Sequence, residues 1–144
     1  MITTTANPCE LAQQAADLLN QNNQLTSKVT ARHIVEHSDE YVFLIAEDRV
    51  LGCVHITRRS WYQAEISHLV VAEEARGQGL GKRLVSLALG RVQELGLMVA
   101  QCTIREDNQA SLTTFKHAGF KETVSFTNPE SGNVVIVLQI SLSK

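Results

Sequence analysis

The sequence predicts a mixed α/β fold, a single sheet with helices on its faces, and three observations predict it. Segments of helical and strand periodicity follow one another in the order αα, βββ, α, β, α, ββ. Turn-forming clusters punctuate them, most plainly Asn128-Pro129-Glu130-Ser131-Gly132-Asn133. In the middle of the chain an apolar strand runs through three glycines on alternate positions, Gly77, Gly79 and Gly81, straight into a helix. The 144 residues suit one domain over residues 1–144 with one real core, and 44% hydrophobic content supports a folded globule.

Taken in order, Asn7-Pro8-Cys9-Glu10 reads as a helix start, with Asn7 as N-cap, Pro8 in the first helical position and Glu10 completing a capping box. Leu11, Ala15, Leu18 and Leu19 form its apolar stripe, and Asn20 to Asn23 end it. A weaker second helix is expected from about Ser27 to His37, after Leu25-Thr26. Tyr41 to Ala46 and Val50 to Thr57 read as a hairpin turned at Glu47-Asp48-Arg49. Arg58-Arg59-Ser60 turns the chain into the motif strand from about Tyr62, and a helix follows over Lys82 to Leu95 with Gly96 as its C′ residue. Met98 to Ile104 is a further strand. Asn108 caps a short helix through Ala118, Gly119-Phe120 opens a strand to Phe126, and Val134 to Leu142 is the last strand.

Composition excludes several classes. A net charge of −2 with scattered basic residues argues against nucleic acid as the main partner. No apolar run approaches the ~20 residues of a membrane span, and the N-terminus lacks the basic and apolar regions of a signal peptide. Cys9, Cys53 and Cys102 are odd in number and far apart, which suggests neither a disulfide framework nor zinc. A cytoplasmic protein is the default expectation.

Glu65 to Gly81 carries the chemistry. Strand, glycine loop and helix turn backbone N–H groups toward an anion, and the helix dipole adds partial positive charge. A Walker loop fails because Arg83 follows Gly81-Lys82 and Arg76 replaces the first glycine. A dinucleotide fingerprint fails because Lys82 occupies its third glycine. What remains, Arg76-x-x-Gly79-x-Gly81 after an apolar strand, resembles the pyrophosphate loop of the GNAT acyl-CoA N-acetyltransferase superfamily. A second segment, Asn108-x-x-Ser111-x-x-x-Phe115-x-x-x-Gly119-Phe120, resembles the stretch in which that family's asparagine touches the pantetheine arm and an aromatic sits beside the CoA sulfur. The element order matches as well, so the resemblance covers most of the chain.

The resemblance implies a GNAT fold, a mixed and mostly antiparallel sheet of six to seven strands flanked by about four helices. It implies acetyl transfer from acetyl-CoA to a primary amine by direct attack, with no metal; a homodimer would be ordinary. Leu69, Val70 and Val71 would pair with the pantetheine amides as though the cofactor were an added strand. Arg76, Gly77, Gln78, Gly79, Leu80, Gly81 and Lys82 would wrap the pyrophosphate, with Arg83 a further source of charge. Asn108, Ser111 and Phe115 would flank the arm and the thioester. One residue departs from the pattern: many members carry a tyrosine, proposed to protonate the leaving thiolate, where this chain has Phe115.

That loss does not by itself remove turnover. A thiol with a pKa of about 8.5 leaves tolerably as thiolate near neutral pH. The acceptor sets the harder condition, since an amine of pKa ~10.4 is neutral only about once in a thousand molecules at pH 7.4. A general base is needed. Glu65 is the candidate, because Ala64-Glu65-Ile66 resembles the position of the catalytic glutamate in the histone acetyltransferase branch; its plain alternative is a solvated strand-end carboxylate. His68, expected on the opposite strand face by period-two alternation, ranks second. Glu106 and Asp107 at the next strand's mouth read as a loop start, and Trp61 and Tyr62 as cover for a sheet edge. His33-Ile34-Val35-Glu36-His37 matches an inverted zinc-protease pattern, but no third ligand accompanies it. A different class of protein, an acyl-CoA-binding sensor or partner module without turnover, is the alternative that Phe115 keeps open.

Overall fold

Two residues at positive φ, Glu47 at 51° and Asp48 at 63°, close the first hairpin. Such a pair is what a two-residue turn needs to match the twist of its strands, and it joins β1 (Tyr41–Ala46) to β2 (Arg49–Arg58) in antiparallel register. In this computed structural model, which describes residues 8–22 and 28–142, the other strands are β3 (Gln63–Val71), β4 (Val99–Arg105), β5 (Lys121–Thr127) and β6 (Val134–Ser141). The helices are α1 (Pro8–Asn22), α2 (Ala31–Glu36), α3 (Leu80–Glu94) and α4 (Gln109–His117). One six-stranded sheet has the order β1-β2-β3-β4-β6-β5. β3 and β4 pair in parallel, and a parallel pair requires a crossover, which α3 supplies.

Most elements fall within two residues of their expected bounds, and the differences have local causes. The N-cap expected at Asn7 and the start expected at Ser27 lie outside the described residues. α2 is shorter than expected because Thr30 is extended (φ −107°, ψ 154°) and its hydroxyl caps the helix, accepting from the His33 N–H at 3.1 Å. A 3-10 turn, Ser38–Glu40, follows where the helix was expected to end. α3 begins at Leu80 rather than Lys82, so Gly81 lies in its first turn. Its far end closes as a Schellman motif: Gly96 at φ 76° donates to Gln93 O, and Leu97 donates to Val92 O.

By internal contacts the chain divides into two compact units, Met1–His55 with His68–Leu84, and Ile56–Ser67 with Val85–Lys144. In the first, Ala12, Ala15, Ala16 and Leu19 of α1 bury one helical face in a core with Ile34, Tyr41, Cys53 and Val70. Gln14 ties α1 to the hairpin, donating to Asp48 O at 3.1 Å and accepting from Val50 N–H at 2.8 Å. Asn20 makes a reciprocal pair with the Val29 backbone at 2.8 and 2.9 Å, so it anchors the following segment besides ending the helix stripe.

In the second unit β4 pairs with β6 along its whole length, from Val99↔Ser141 to Arg105↔Val135, and β6 pairs on its other side with β5. Val85, Val92, Ala100, Ile104, Phe120 and Leu138 are buried there. β5 is the edge strand and all seven of its residues are exposed.

Candidate active site

Glu65 sits at the end of the register that β3 shares with β4: Gln63↔Val99, Ala64↔Ala100, Glu65↔Gln101. Alternation along β3 buries Ala64 and Ile66 and leaves Glu65 half-buried, which is not the solvated strand-end carboxylate of the plain alternative. Its Oε1 accepts from Gln101 Nε2 at 3.4 Å. Its Oε2 is shielded from solvent and has no hydrogen-bond partner among the described residues. Burial raises the carboxyl's pKa above its ordinary value, against the opposing effects of the Gln101 hydrogen bond and the Arg59 charge. A carboxylate with one engaged and one unpartnered oxygen, and a raised proton affinity, suits proton abstraction from an ammonium near neutral pH. Glu65 also adds to the burial that holds the Cys102 thiol protonated.

Gln101 is itself held. Gln139 Nε2 donates to its Oε1 at 2.7 Å, and Gln101↔Gln139 are register partners between β4 and β6. Sequence reasoning missed both glutamines. The available signal was a lone amide inside each of two apolar strands, Val-Ala-Gln-Cys and Val-Leu-Gln-Ile. Nothing local says that the two share a row with Glu65, because register is a tertiary property.

His68 lies in the first unit at φ 54°, a left-handed conformation inside a strand. The alternation argument that set its face assumes extended backbone and stops at this residue. Its ring lies 5.6 Å from that of His55, which stacks on Tyr41 at 4.4 Å; His33 meets Tyr41 edge-on at 6.3 Å and stacks on His37 at 4.2 Å. His55 Nε2 and Glu40 Oε1 are 2.8 Å apart. His33 and His37 of the metal-like pattern therefore belong to an aromatic ladder. No group of three or more His, Cys, Asp or Glu placed to hold a metal occurs among the described residues.

Burial lowers the pKa of both His55 and His68. For His55 it outweighs the Glu40 hydrogen bond and charge that favour the imidazolium, and His33 and His37 add to the lowering; for His68, His55 and His33 do so. The folded state thus takes up protons later than the unfolded chain. Stability is fully retained above the ordinary histidine value of about 6.5 and falls as pH drops through it toward the lowered folded values. Urea unfolding between pH 7.5 and 5 shows that fall, and it is shallower in His55→Gln.

The expected cofactor residues of the loop also lie in the first unit. Leu69, Val70 and Val71 end β3, and the 3-10 turn Glu73–Ala75 leads to Arg76. Gly77 (φ 82°) and Gly79 (φ 76°) adopt conformations that side-chain-bearing residues disfavour, with open space where each Cβ would stand. Gln78 lies between them, and Leu80, Gly81 and Lys82 form the first turn of α3, whose leading N–H groups have no intrahelical acceptor. This arrangement fits a pyrophosphate. Arg76 Nε donates to Val71 O at 3.2 Å, which ties the loop back to its strand.

In the second unit Asn108 is the N-cap of α4, its side chain accepting from Ser111 N–H at 3.2 Å. Phe115, expected beside the thioester, is buried and packs edge-on against Phe120 at 5.1 Å. Glu106 and Asp107 line an open pocket of about 310 Å³ with Gly132 and Asn133 of the turn before β6 and with Val134 at the start of that strand.

Comparison with known proteins agrees with this fold. The model of the acetyltransferase (GNAT) family matches residues 9–120. N-alpha-acetyltransferase 30 of Schizosaccharomyces pombe is 26% identical over 99 residues, 65% of this chain and 66% of that protein, so the match spans just under two thirds of the relative's length. Among solved structures, Ard1 from Thermoplasma volcanium superimposes with a TM-score of 0.79 at 19% identity, over 96% of this chain and 95% of that one. A GNAT family acetyltransferase from Elizabethkingia anophelis with acetyl-CoA bound gives 0.72 at 18% identity, over 88% and 89%. At these identities the structures attest the fold, while the family match reaches from α1 to the end of α4 and takes in the whole glycine loop: the chain belongs to the GNAT acetyltransferase family.

Proposed function

We propose that the protein transfers acetyl from acetyl-CoA to a primary amine, with the α-amine of a peptide as the first acceptor class. The observation that carries the reading is the half-buried Glu65 carboxylate with its unpartnered Oε2. The acceptor arrives as an ammonium and loses a proton to Glu65, directly or through one water. Its nitrogen then attacks the thioester carbon, the C–S bond breaks, and the second proton shed by the nitrogen passes through water to the departing CoA thiolate. Backbone N–H groups of Leu69 to Val71 polarise the carbonyl, and the loop from Arg76 to Lys82 holds the pyrophosphate. Asn108 and Ser111 flank the pantetheine arm. Phe115 contributes packing and no proton.

Two considerations support the α-amine. Its pKa of ~7.7–8.0 leaves perhaps a quarter of it neutral at pH 7.4, which lightens the demand on a single carboxylate. The similarity to N-alpha-acetyltransferase 30 points the same way. The reading as a non-catalytic acyl-CoA-binding module draws on one observation, the buried phenylalanine where many members carry tyrosine. CoA thiol release from acetyl-CoA separates the two. Peptides with a free N-terminus are expected to turn over, and the same peptides blocked at the N-terminus but carrying lysine are expected to react at least tenfold more slowly. Acetyl-CoA binding without thiol release across peptides, amino acids, polyamines and aminoglycosides would favour the binding module.

A further inference from the structure

Glu65, Gln101 and Gln139 occupy one row across β3, β4 and β6, as successive register partners. Row neighbours on adjacent strands stand close enough for their side chains to interact. Here they form a directed chain: Gln139 Nε2 donates to Gln101 Oε1 at 2.7 Å, and Gln101 Nε2 donates to Glu65 Oε1 at 3.4 Å. A glutamine amide can present either its oxygen or its NH₂ group to a neighbour. A donor on the far side removes that choice. With Gln139 donating to Oε1 of Gln101, the NH₂ of Gln101 is the end that faces Glu65.

We propose that Gln101 and Gln139 are positioning residues for Glu65: Gln139 fixes the Gln101 amide, Gln101 ties down Oε1 of Glu65, and Oε2 remains as the oxygen that receives the acceptor's proton. The role of Oε2 rests on the reading of Glu65 as base; the orientation of the row does not. Were Gln101 to turn over, its carbonyl would face the carboxylate and favour the protonated acid, which cannot act as base. The other groups acting electrostatically with Glu65 are the Arg59 guanidinium, which favours ionisation, and the Cys102 thiol beside Gln101, itself held protonated by burial. Neither can replace the Gln101 donor, because Gln101 is what hydrogen-bonds to Oε1 among the described residues. Lys121 is the next register partner, opposite Gln139 on the edge strand.

The test reads the titration of Glu65 directly, by carbon NMR of protein with labelled glutamate carboxyls, the signal being assigned by its disappearance in Glu65→Gln. Gln101→Leu and Gln139→Leu are each expected to move the Glu65 midpoint up by about one pH unit, tenfold in proton affinity, as for the loss of a hydrogen bond to a charged group. Since Gln139 acts only through Gln101, the double variant is expected to match Gln101→Leu alone. Gln139→Met, which keeps chain length without the amide, serves if the leucine fails to fold. In turnover, the acid limb of kcat/KM moves up with the NMR midpoint and the high-pH plateau stays near wild type, an outcome that mere loosening of the sheet would not produce. An unmoved midpoint in Gln139→Leu, or a further move on adding it to Gln101→Leu, overturns the inference. If Glu65→Gln turns over normally while the midpoints shift as expected, Glu65 is not the base and the row still orients it.

Discussion

With Glu65 as the proposed base, replacing it with glutamine is expected to lower kcat by about 10²–10⁴-fold, the usual contribution of a positioned general base. Acetyl-CoA affinity stays unchanged, because Glu65 is not among the residues assigned to the cofactor. Activity recovers in part at high pH, where more acceptor is already neutral. The same substitution has an opposite effect on stability, and this separates loss of chemistry from damage to the fold. Burial raises the Glu65 pKa in the folded state, so ionisation costs more there than in the unfolded chain. The cost is absent below the ordinary carboxyl value, grows as pH rises toward the folded value, and is complete above it. Glutamine carries no charge to desolvate and still offers an oxygen to Gln101, so Glu65→Gln is more stable than the parent at pH 7 in urea unfolding. An inactive but destabilised variant would instead mean that Glu65 serves packing and that its environment is not poised for proton transfer.

The fold was legible where one residue settles a local choice. Asn108 and Gly96 end their elements as expected because capping is written in the few residues around each terminus. β1 could be read at both ends because an apolar run is bounded by a turn pair, Glu47-Asp48. Strand order could not be read. β6 pairs between β4 and β5, although the sequence visits β5 first, and nothing in either strand's alternation selects its neighbour. The candidate site divides the same way. Gly77 and Gly79 announce themselves through spacing and Glu65 through a resemblance, whereas the row that orients Glu65 exists only once three strands are in register. Phe115 shows what a motif position leaves unsaid: its spacing puts it on the helix, and the packing of its ring against Phe120 appears only in the fold.

Gly52 is the clearest case of a residue whose reason is spatial, and it sets up the second large effect. A Cβ at this β2 position would stand 2.9 Å from Leu84 Cδ1 and 2.9 Å from the carbonyl oxygen of Val70. Leu84, wholly buried, occupies the room the glycine leaves. Leu84→Ala therefore opens a cavity and is expected to cost about 2–5 kcal/mol in urea unfolding. Gly52→Ala overpacks the same spot from the other side, at about 1–3 kcal/mol. The two are coupled but not equivalent. Removing Leu84 relieves the clash with a side chain, which could have yielded; it leaves the clash with Val70 O, which is backbone in the strand that Ala72 N–H ties to Leu51 O at 2.7 Å. A double-mutant cycle should accordingly show that Gly52→Ala costs less in the Leu84→Ala background, yet still destabilises. Full rescue would mean that the strand backbone gives way as readily as a leucine methyl. Because Val70 belongs to the segment assigned to the pantetheine amides, the same displacement weakens acetyl-CoA binding in Gly52→Ala, and it does so in the Leu84→Ala background as well.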